Sequence, residues 1–163
     1  VAAVPQLKSL SFVNPADLDP KAFAALKPAA GHLVSLYFGH GNRLNDEGVR
    51  VIAETLPNLE TFRREWSGRT CSEKGLVYLS KLPRLSRLTW CNANDDHCGI
   101  LADFPVLKYI GLNDSKDLTD KAFEHLKGLP KLSEVIFSGK IGVTIADVEA
   151  FRKVCPAVKV YLN

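Results

Sequence analysis

The sequence is short of several features, and each shortage excludes a class of protein. The 163 residues contain only four cysteines, too few for a small disulfide-bonded scaffold. No apolar run reaches the roughly 18 residues that a membrane-spanning helix needs, and no signal-peptide core is present. The net charge is only +3, from 21 Lys and Arg against 18 Asp and Glu, and no basic run concentrates it. We therefore expect neither membrane insertion nor nucleic-acid binding.

Methionine is absent altogether, and the chain begins at Val1. We therefore expect a processed chain or a domain excised from a longer protein. A hydrophobic fraction of 46% is ample for a buried core, and we predict a single domain over residues 1–163. The few scattered cysteines favour a cytoplasmic location, and secretion stays open as the alternative.

A leucine-containing segment recurs along the whole chain. Its first apolar anchors are Leu7, Leu33, Leu59, Leu85, Leu107, Leu132 and Val158, with spacings of 26, 26, 26, 22, 25 and 26 residues. Five of the copies begin with the pattern L-x-x-L-x-φ, where φ is apolar and Ile or Val can replace the second Leu, and this pattern predicts a strand. The second half of each copy has apolar residues three and four apart, which predicts a helix. The chain therefore contains six strand–helix units and a closing strand.

A residue type that favours helix N-caps stands at the same place in every unit. These residues are Asp19, Asn45, Ser72, Asn94, Thr119 and Thr144. Neither the strand nor the helix of one unit can bury its apolar side alone, so neighbouring units must stack. Stacking predicts an α/β solenoid in which a parallel sheet packs on a row of helices through right-handed crossovers.

These in-phase copies resemble the leucine-rich repeat family, and in particular its cysteine-containing variety with the second half L-T-D-x-G-L. The clearest matches are L-N-D-E-G-V at 44–49 and L-T-D-K-A-F at 118–123. The resemblance implies a right-handed superhelix with parallel strands on a concave face and helices on the convex side, used to hold another macromolecule. Family members include the substrate-recognition arcs of F-box ubiquitin-ligase adaptors. That alternative would need an F-box-like segment outside these residues.

Two units depart from the pattern. Arg64 occupies a position where an inward apolar residue belongs, so we expect a bulge or an early strand end there, covered by Trp66. The fourth unit is shorter than the others, so the loop after Trp90 should be clipped.

Alternation along each strand predicts which side chains face the concave surface. The first row is Ser9, Ser35, Thr61, Arg87, Tyr109 and Glu134; the second is Ser11, Tyr37, Arg63, Thr89, Gly111 and Ile136; the third includes Glu65 and Cys91. Tyr and Arg are enriched at the energetic centres of protein interfaces. We therefore predict that a protein or peptide binds this surface. The predicted contact residues are Tyr37, Arg63, Glu65, Arg87, Thr89, Tyr109 and Glu134.

Two other interpretations of the chain stay open. A solvated sheet face needs polar side chains even when no partner binds it. Alternatively, the chain is a structural module that self-associates through the exposed ends of the solenoid.

No pattern indicates catalysis, a metal site or a cofactor. Cys91 and Cys98 bracket zinc-type ligands, but there is no C-x-x-C pair. Cys98 aligns with inward helix positions, whereas Cys91 should be an exposed thiol on the concave face. Cys71 and Cys155 align with core positions. No G-x-S-x-G, H-E-x-x-H, P-loop or dinucleotide motif is present, so we expect a non-enzymatic protein.

Overall fold

Strands and helices alternate along the computed structural model, which describes residues 6–13, 18–41, 43–65 and 71–163. The strands are β1 (Ser9–Phe12), β2 (Ser35–Phe38), β3 (Thr61–Arg64), β4 (Arg87–Cys91), β5 (Tyr109–Asn113), β6 (Glu134–Ser138) and β7 (Lys159–Leu162). A first helix (Pro20–Ala29) is followed by α1 (Asp46–Thr55), α2 (Glu73–Ser80), α3 (Asp95–Leu101), α4 (Lys121–Lys127) and α5 (Ile145–Val154). Within the described ranges no helix is both long and apolar enough to cross a membrane.

The strands form one seven-stranded parallel sheet whose spatial order is the order of the strands in the chain. Each strand pairs with its neighbour at equivalent positions of the repeating pattern, as Tyr37 with Arg63 and Arg87 with Tyr109. This register confirms the predicted alignment of the units and the α/β class with a parallel sheet. That residues 1–163 form a single domain stays a prediction.

The core lies between the sheet and the helices. The predicted strand anchors Leu36, Leu88 and Ile110 are fully buried, and they pack against buried helix residues such as Val49 and Leu76. Aromatic rings continue the stacking from unit to unit at the ends of the strands. Their centroids are separated by 5.0 Å (Phe12 to Phe38), 5.8 Å (Phe38 to Phe62) and 6.4 Å (Phe62 to Trp90).

Most of the predicted N-caps are confirmed by hydrogen bonds. The side chains of Asp19, Asn45, Ser72, Asn94 and Thr144 each accept a backbone N–H of the following helical turn. Helix α4 begins one residue later than expected, because its cap position is Asp120. The Thr119 hydroxyl nevertheless accepts the Lys121 N–H at 3.3 Å.

Two first-turn carboxylates also bind the helix start of the next unit. Asp46 accepts both the N–H and the hydroxyl of Ser72, at 2.8 and 2.6 Å. Asp95 accepts both the N–H and the hydroxyl of Thr119, at 2.9 and 2.6 Å. The acidic residues that follow the N-caps therefore join neighbouring units, in addition to facing the positive helix end.

The first helix differs from the expected α-helix. Residues Pro20–Ala29 form a 3-10 helix that contains Pro28, which has no N–H to donate and would disrupt an α-helical ladder. Its apolar side is still buried through Phe23 and Leu26.

Arg64 was expected to interrupt its strand, and this expectation is wrong in part. The register between β2 and β3 runs unbroken to the pair Phe38 and Arg64, so there is no bulge. The strand does end at Arg64, and its pairing with β4 stops one residue earlier, at Arg63. The Arg64 side chain is 1% exposed and stacks on Trp90, with Cζ 4.8 Å from the ring centroid. Trp66 lies outside the described residues.

The loop between β4 and α3 is short and turns sharply. In the fourth unit only residues 92–94 separate β4 from α3, whereas residues 114–120 separate β5 from α4, so the clipped loop is confirmed. Asn92 makes the sharp turn with a φ of 57°.

In the loop between β6 and α5, Gly142 packs closely against the loop between β5 and α4. A Cβ at this position would collide with the carbonyl oxygens of Leu118 and Lys116, the latter at 2.5 Å.

Candidate functional site

The sheet face opposite the helices carries the predicted contact residues, and we call it the open face. Its first row runs Ser9, Ser35, Thr61, Arg87, Tyr109, Glu134 and Lys159, and its second runs Ser11, Tyr37, Arg63, Thr89, Gly111, Ile136 and Tyr161. Side chains of both rows point away from the core because they alternate with the buried anchors.

Tyr37, Arg63 and Glu65 form one cluster on the open face. The Arg63 guanidinium carbon lies 5.3 Å from the centroid of the Tyr37 ring on the neighbouring strand. Glu65 forms an ion pair with Arg63 at 2.5 Å and accepts a hydrogen bond from the Tyr37 hydroxyl at 3.0 Å. Burial, the hydrogen bond to Glu65 and the charge of that carboxylate raise the pKa of Tyr37 above its ordinary value. The positive charge of Arg63 and the negative charge of Glu65 therefore neutralise each other within this cluster.

Arg87 and Tyr109 form a second cross-strand pair. The guanidinium carbon of Arg87 lies 4.0 Å from the Tyr109 ring centroid, closer than in the first pair. Arg87 is exposed and Tyr109 is half-buried. No described residue forms an ion pair with Arg87. The pair therefore offers a stacked, solvent-facing guanidinium.

A glycine follows each tyrosine two residues later in the chain, Gly39 just after β2 and Gly111 within β5. A Cβ at Gly39 would be 3.3 Å from the Tyr37 hydroxyl oxygen, and a Cβ at Gly111 would be 3.4 Å from that of Tyr109. Both glycines are buried. The small residue at each position therefore lets the tyrosine lie flat along the strand, where the neighbouring arginine stacks on it.

Of the predicted contact residues, Thr89 alone is buried. Thr89 occupies its expected row, but its side chain is only 3% exposed, so the expectation that it contacts a partner is corrected. The Thr89 hydroxyl is buried without a hydrogen-bond partner among the described residues. Glu134 is half-buried and lies opposite Lys159 in the register.

Cys91 was expected to be an exposed thiol on this face, and that expectation is wrong. The residue is 1% exposed. The turn at Asn92 follows at once, and the Arg64 guanidinium approaches the Cys91 carbonyl at 3.5 Å and its sulfur at 3.6 Å. The neighbouring unit therefore covers a position that alternation alone places outside.

The other cysteines are core thiols or partly covered ones. Cys98 is fully buried, as predicted, and burial raises its pKa to about 12. Burial likewise raises the pKa of Cys71 to about 12, and its thiol donates to the Leu44 carbonyl at 2.9 Å. Both thiols are thus protonated at neutral pH and unsuited to nucleophilic chemistry.

His97 lies between Cys91 and Cys98 in the chain. It is buried within the N-terminal turn of α3, and its Nδ1 contacts the Asn94 side chain and lies 3.7 Å from Glu73. Burial lowers its pKa, against the opposing charge of Glu73. Across the part of the chain that the structure describes, no three His, Cys, Asp or Glu side chains converge to hold a metal ion.

The two rows of open-face residues predicted from the sequence ended on β6, one strand before the last strand of the sheet. Lys159 and Tyr161 extend the two rows onto β7, and Tyr161 is 44% exposed. The signal for them was the terminal copy P-A-V-K-V-Y at 156–161, to which the same alternation applies.

Comparison with known proteins finds solved structures of similar fold. The chain is similar to a chain of a structure described as the Rad7 and Elc1 complex in yeast, with a TM-score of 0.58 and 16% identity. The match covers 97% of this chain and 50% of that chain, so this chain spans about half the length of its structural neighbour. At this identity the likeness concerns the fold alone. Neither a protein-family model nor a curated protein sequence matches the chain.

Proposed function

We propose that the chain is a leucine-rich repeat protein, without enzymatic activity, that binds a protein or peptide on the open face of its sheet. In this family that face is the concave side of a right-handed solenoid. The observation that carries the proposal is the pair of cross-strand stacks, Arg63 on Tyr37 and Arg87 on Tyr109, on adjacent central strands.

The stacks have the properties of interface anchors. Tyr and Arg combine a large contact area with directional hydrogen-bond donors, and they dominate the binding energy of many interfaces. Each ring is held between a stacked arginine and a close-packed glycine, so little side-chain freedom remains to be lost on binding. The polar residues Ser35 and Thr61 of the first row lie on the same strands as Tyr37 and Arg63.

The comparison supports a protein partner without naming one. The structural neighbour comes from a complex of two proteins, Rad7 and Elc1. Together with the resemblance drawn from the repeats, this supports a recognition role, and a substrate-recognition arc of a ubiquitin-ligase-like adaptor is one form that such a role takes.

Selection from a display library of random peptides tests the proposal. Wild-type protein should enrich binders, and the double variant Tyr37→Ala with Tyr109→Ala should lose at least tenfold in affinity for them, measured by fluorescence anisotropy. Tyr78→Ala is the matched control, because Tyr78 lies on α2 in the helical layer. Melting curves establish that all variants are folded. Equal affinities for the double variant and the control would refute binding at the open face.

Self-association is the second candidate, and exposed Tyr161 on the outer strand β7 favours it. Val160 is 4% exposed and so cannot report on this edge without unfolding the protein, whereas Tyr161 can. Sedimentation should then show a dimer that Tyr161→Lys converts to monomer. A wild-type monomer at tens of micromolar would exclude this candidate.

A further inference from the structure

Arg87 differs from the other cations of the open face in its surroundings. Arg63 is bound by Glu65, and Lys159 lies opposite Glu134 in the register. The register neighbours of Arg87 are Thr61 and Tyr109, and neither has a carboxylate. Among the described residues of this face, Arg87 is thus the cation without an adjacent carboxylate.

The stacking of Arg87 determines how it can bind. With its guanidinium held against the Tyr109 ring, one flat face is occupied and the N–H groups around the edge remain to donate hydrogen bonds. Two of these donors lie side by side, which matches the two oxygens of a carboxylate. The adjacent open-face position on the same strand, Thr89, is buried and does not compete for the ligand.

Three further exposed cations lie near the beginning of β4, β5 and β6. They are Arg84, Lys108 and Lys131. The three strand starts are adjacent, because the Lys108 N–H donates to Ser86 at 2.8 Å and the Lys108 carbonyl accepts the Ser133 N–H at 2.9 Å. Within the described ranges none of the three cations forms an ion pair. The N-terminal ends of three adjacent strands, of which β4 carries Arg87, therefore each have an exposed cation beside them.

We infer that the partner supplies an acidic peptide segment that crosses β4 and β5, with one Asp or Glu carboxylate bound to the edge of Arg87. This inference rests on the proposed function and specifies its ligand. Carboxylates lie on both sides of the Arg87 and Tyr109 pair, at Glu60 just before β3 and at Glu134 on β6. A long polyanion such as a nucleic acid would meet these charges, whereas a short acidic segment fits between them.

The random-peptide selection described above also tests this inference. Peptides enriched by wild-type protein should share an Asp or Glu at one position. Arg87→Gln should weaken their binding at least tenfold, and Arg87→Lys should recover only part of the loss because an ammonium lacks the planar pair of donors. Arg50→Gln on α1 is the matched control with the same change of charge. Binding of the wild type should weaken as the salt concentration rises.

The possible results separate the two proposals. If peptides bind the open face without acidic enrichment, and with affinity unchanged by Arg87→Gln, the inference is wrong while the proposed function stands. If the peptides bind equally well to the Tyr37 and Tyr109 double variant, the proposed function itself fails. If single-stranded DNA of equal charge displaces the acidic peptides at lower concentration than they bind, the ligand is a polyanion and the inference is overturned.

Discussion

Replacement of Gly142 by alanine tests how closely successive loops pack. The added Cβ would collide with the backbone carbonyl oxygens of Leu118 and Lys116, which cannot rotate away as a side-chain end can. Among the described glycines, Gly41 and Gly139 have a positive φ and Gly142 does not. The energetic penalty of an alanine at Gly142 is therefore steric and not conformational.

The magnitude follows from two opposing effects. Overpacking costs about 1–3 kcal/mol, and rigid backbone atoms place this site near the upper end. The substitution also restricts the unfolded chain, which returns about 0.4–1 kcal/mol. We therefore expect Gly142→Ala to lower the free energy of unfolding by about 2 kcal/mol. Gly31→Ala is the matched control, because a Cβ there has nothing within 4 Å. That variant should be neutral or slightly stabilised.

Urea unfolding of both variants, followed by tryptophan fluorescence and by circular dichroism, measures the difference. The midpoint of Gly142→Ala should fall with little change in slope. If the two variants unfold within about 0.5 kcal/mol of each other, the close approach between the loops is wrong.

Two further predictions concern the helix starts. Asp95→Ala should cost about 1–2 kcal/mol of stability because it removes both bonds to Thr119, whereas exposed Asp96→Ala should change the urea midpoint little; equal losses would show that the cross-unit bonds contribute nothing. Because burial lowers the pKa of His97 in the folded protein, the unfolded chain binds its proton first, so stability should fall as the pH drops through about 6.5. The variant His97→Gln has a polar side chain at the same position that does not titrate. Its urea midpoint should depend less on pH between 7.5 and 5.5 than that of the wild type. An equal pH dependence in both proteins would show that other groups cause the loss of stability.

The register of the open face could be predicted because each strand carries the same pattern of anchors. Once Leu36, Leu88 and Ile110 are placed in the core, alternation leaves the intervening side chains outside. The pairing of Arg87 with Tyr109 then follows from counting residues from one unit to the next.

Accessibility could not be predicted in the same way. Alternation assigns a side chain to a face, but burial depends on what neighbouring strands place around it. Thr89 is short and lies between the longer Arg63 and buried Gly111 in its row, and Cys91 meets the guanidinium of Arg64. Neither arrangement leaves a signal in the local sequence.

Arg64 shows how a charged residue can hold a core position. Its place in the pattern correctly indicated an inward side chain, while its charge suggested a broken strand. The Arg64 guanidinium stacks on the aromatic ring of Trp90, one unit further along the chain. This cation–π contact lets the charged side chain occupy the inward position while the strand stays intact. The partner of such a residue lies about one repeat away, beyond the range of a local pattern.

The order of the strands has a consequence for how such a surface can evolve. Every strand pairs only with the strands immediately before and after it in the chain. Duplication of one strand–helix segment would therefore create one additional interface of the same kind and leave the topology of the others intact. The breadth of the surface can thus grow by tandem copying, while point substitutions at the alternate positions change what it recognises.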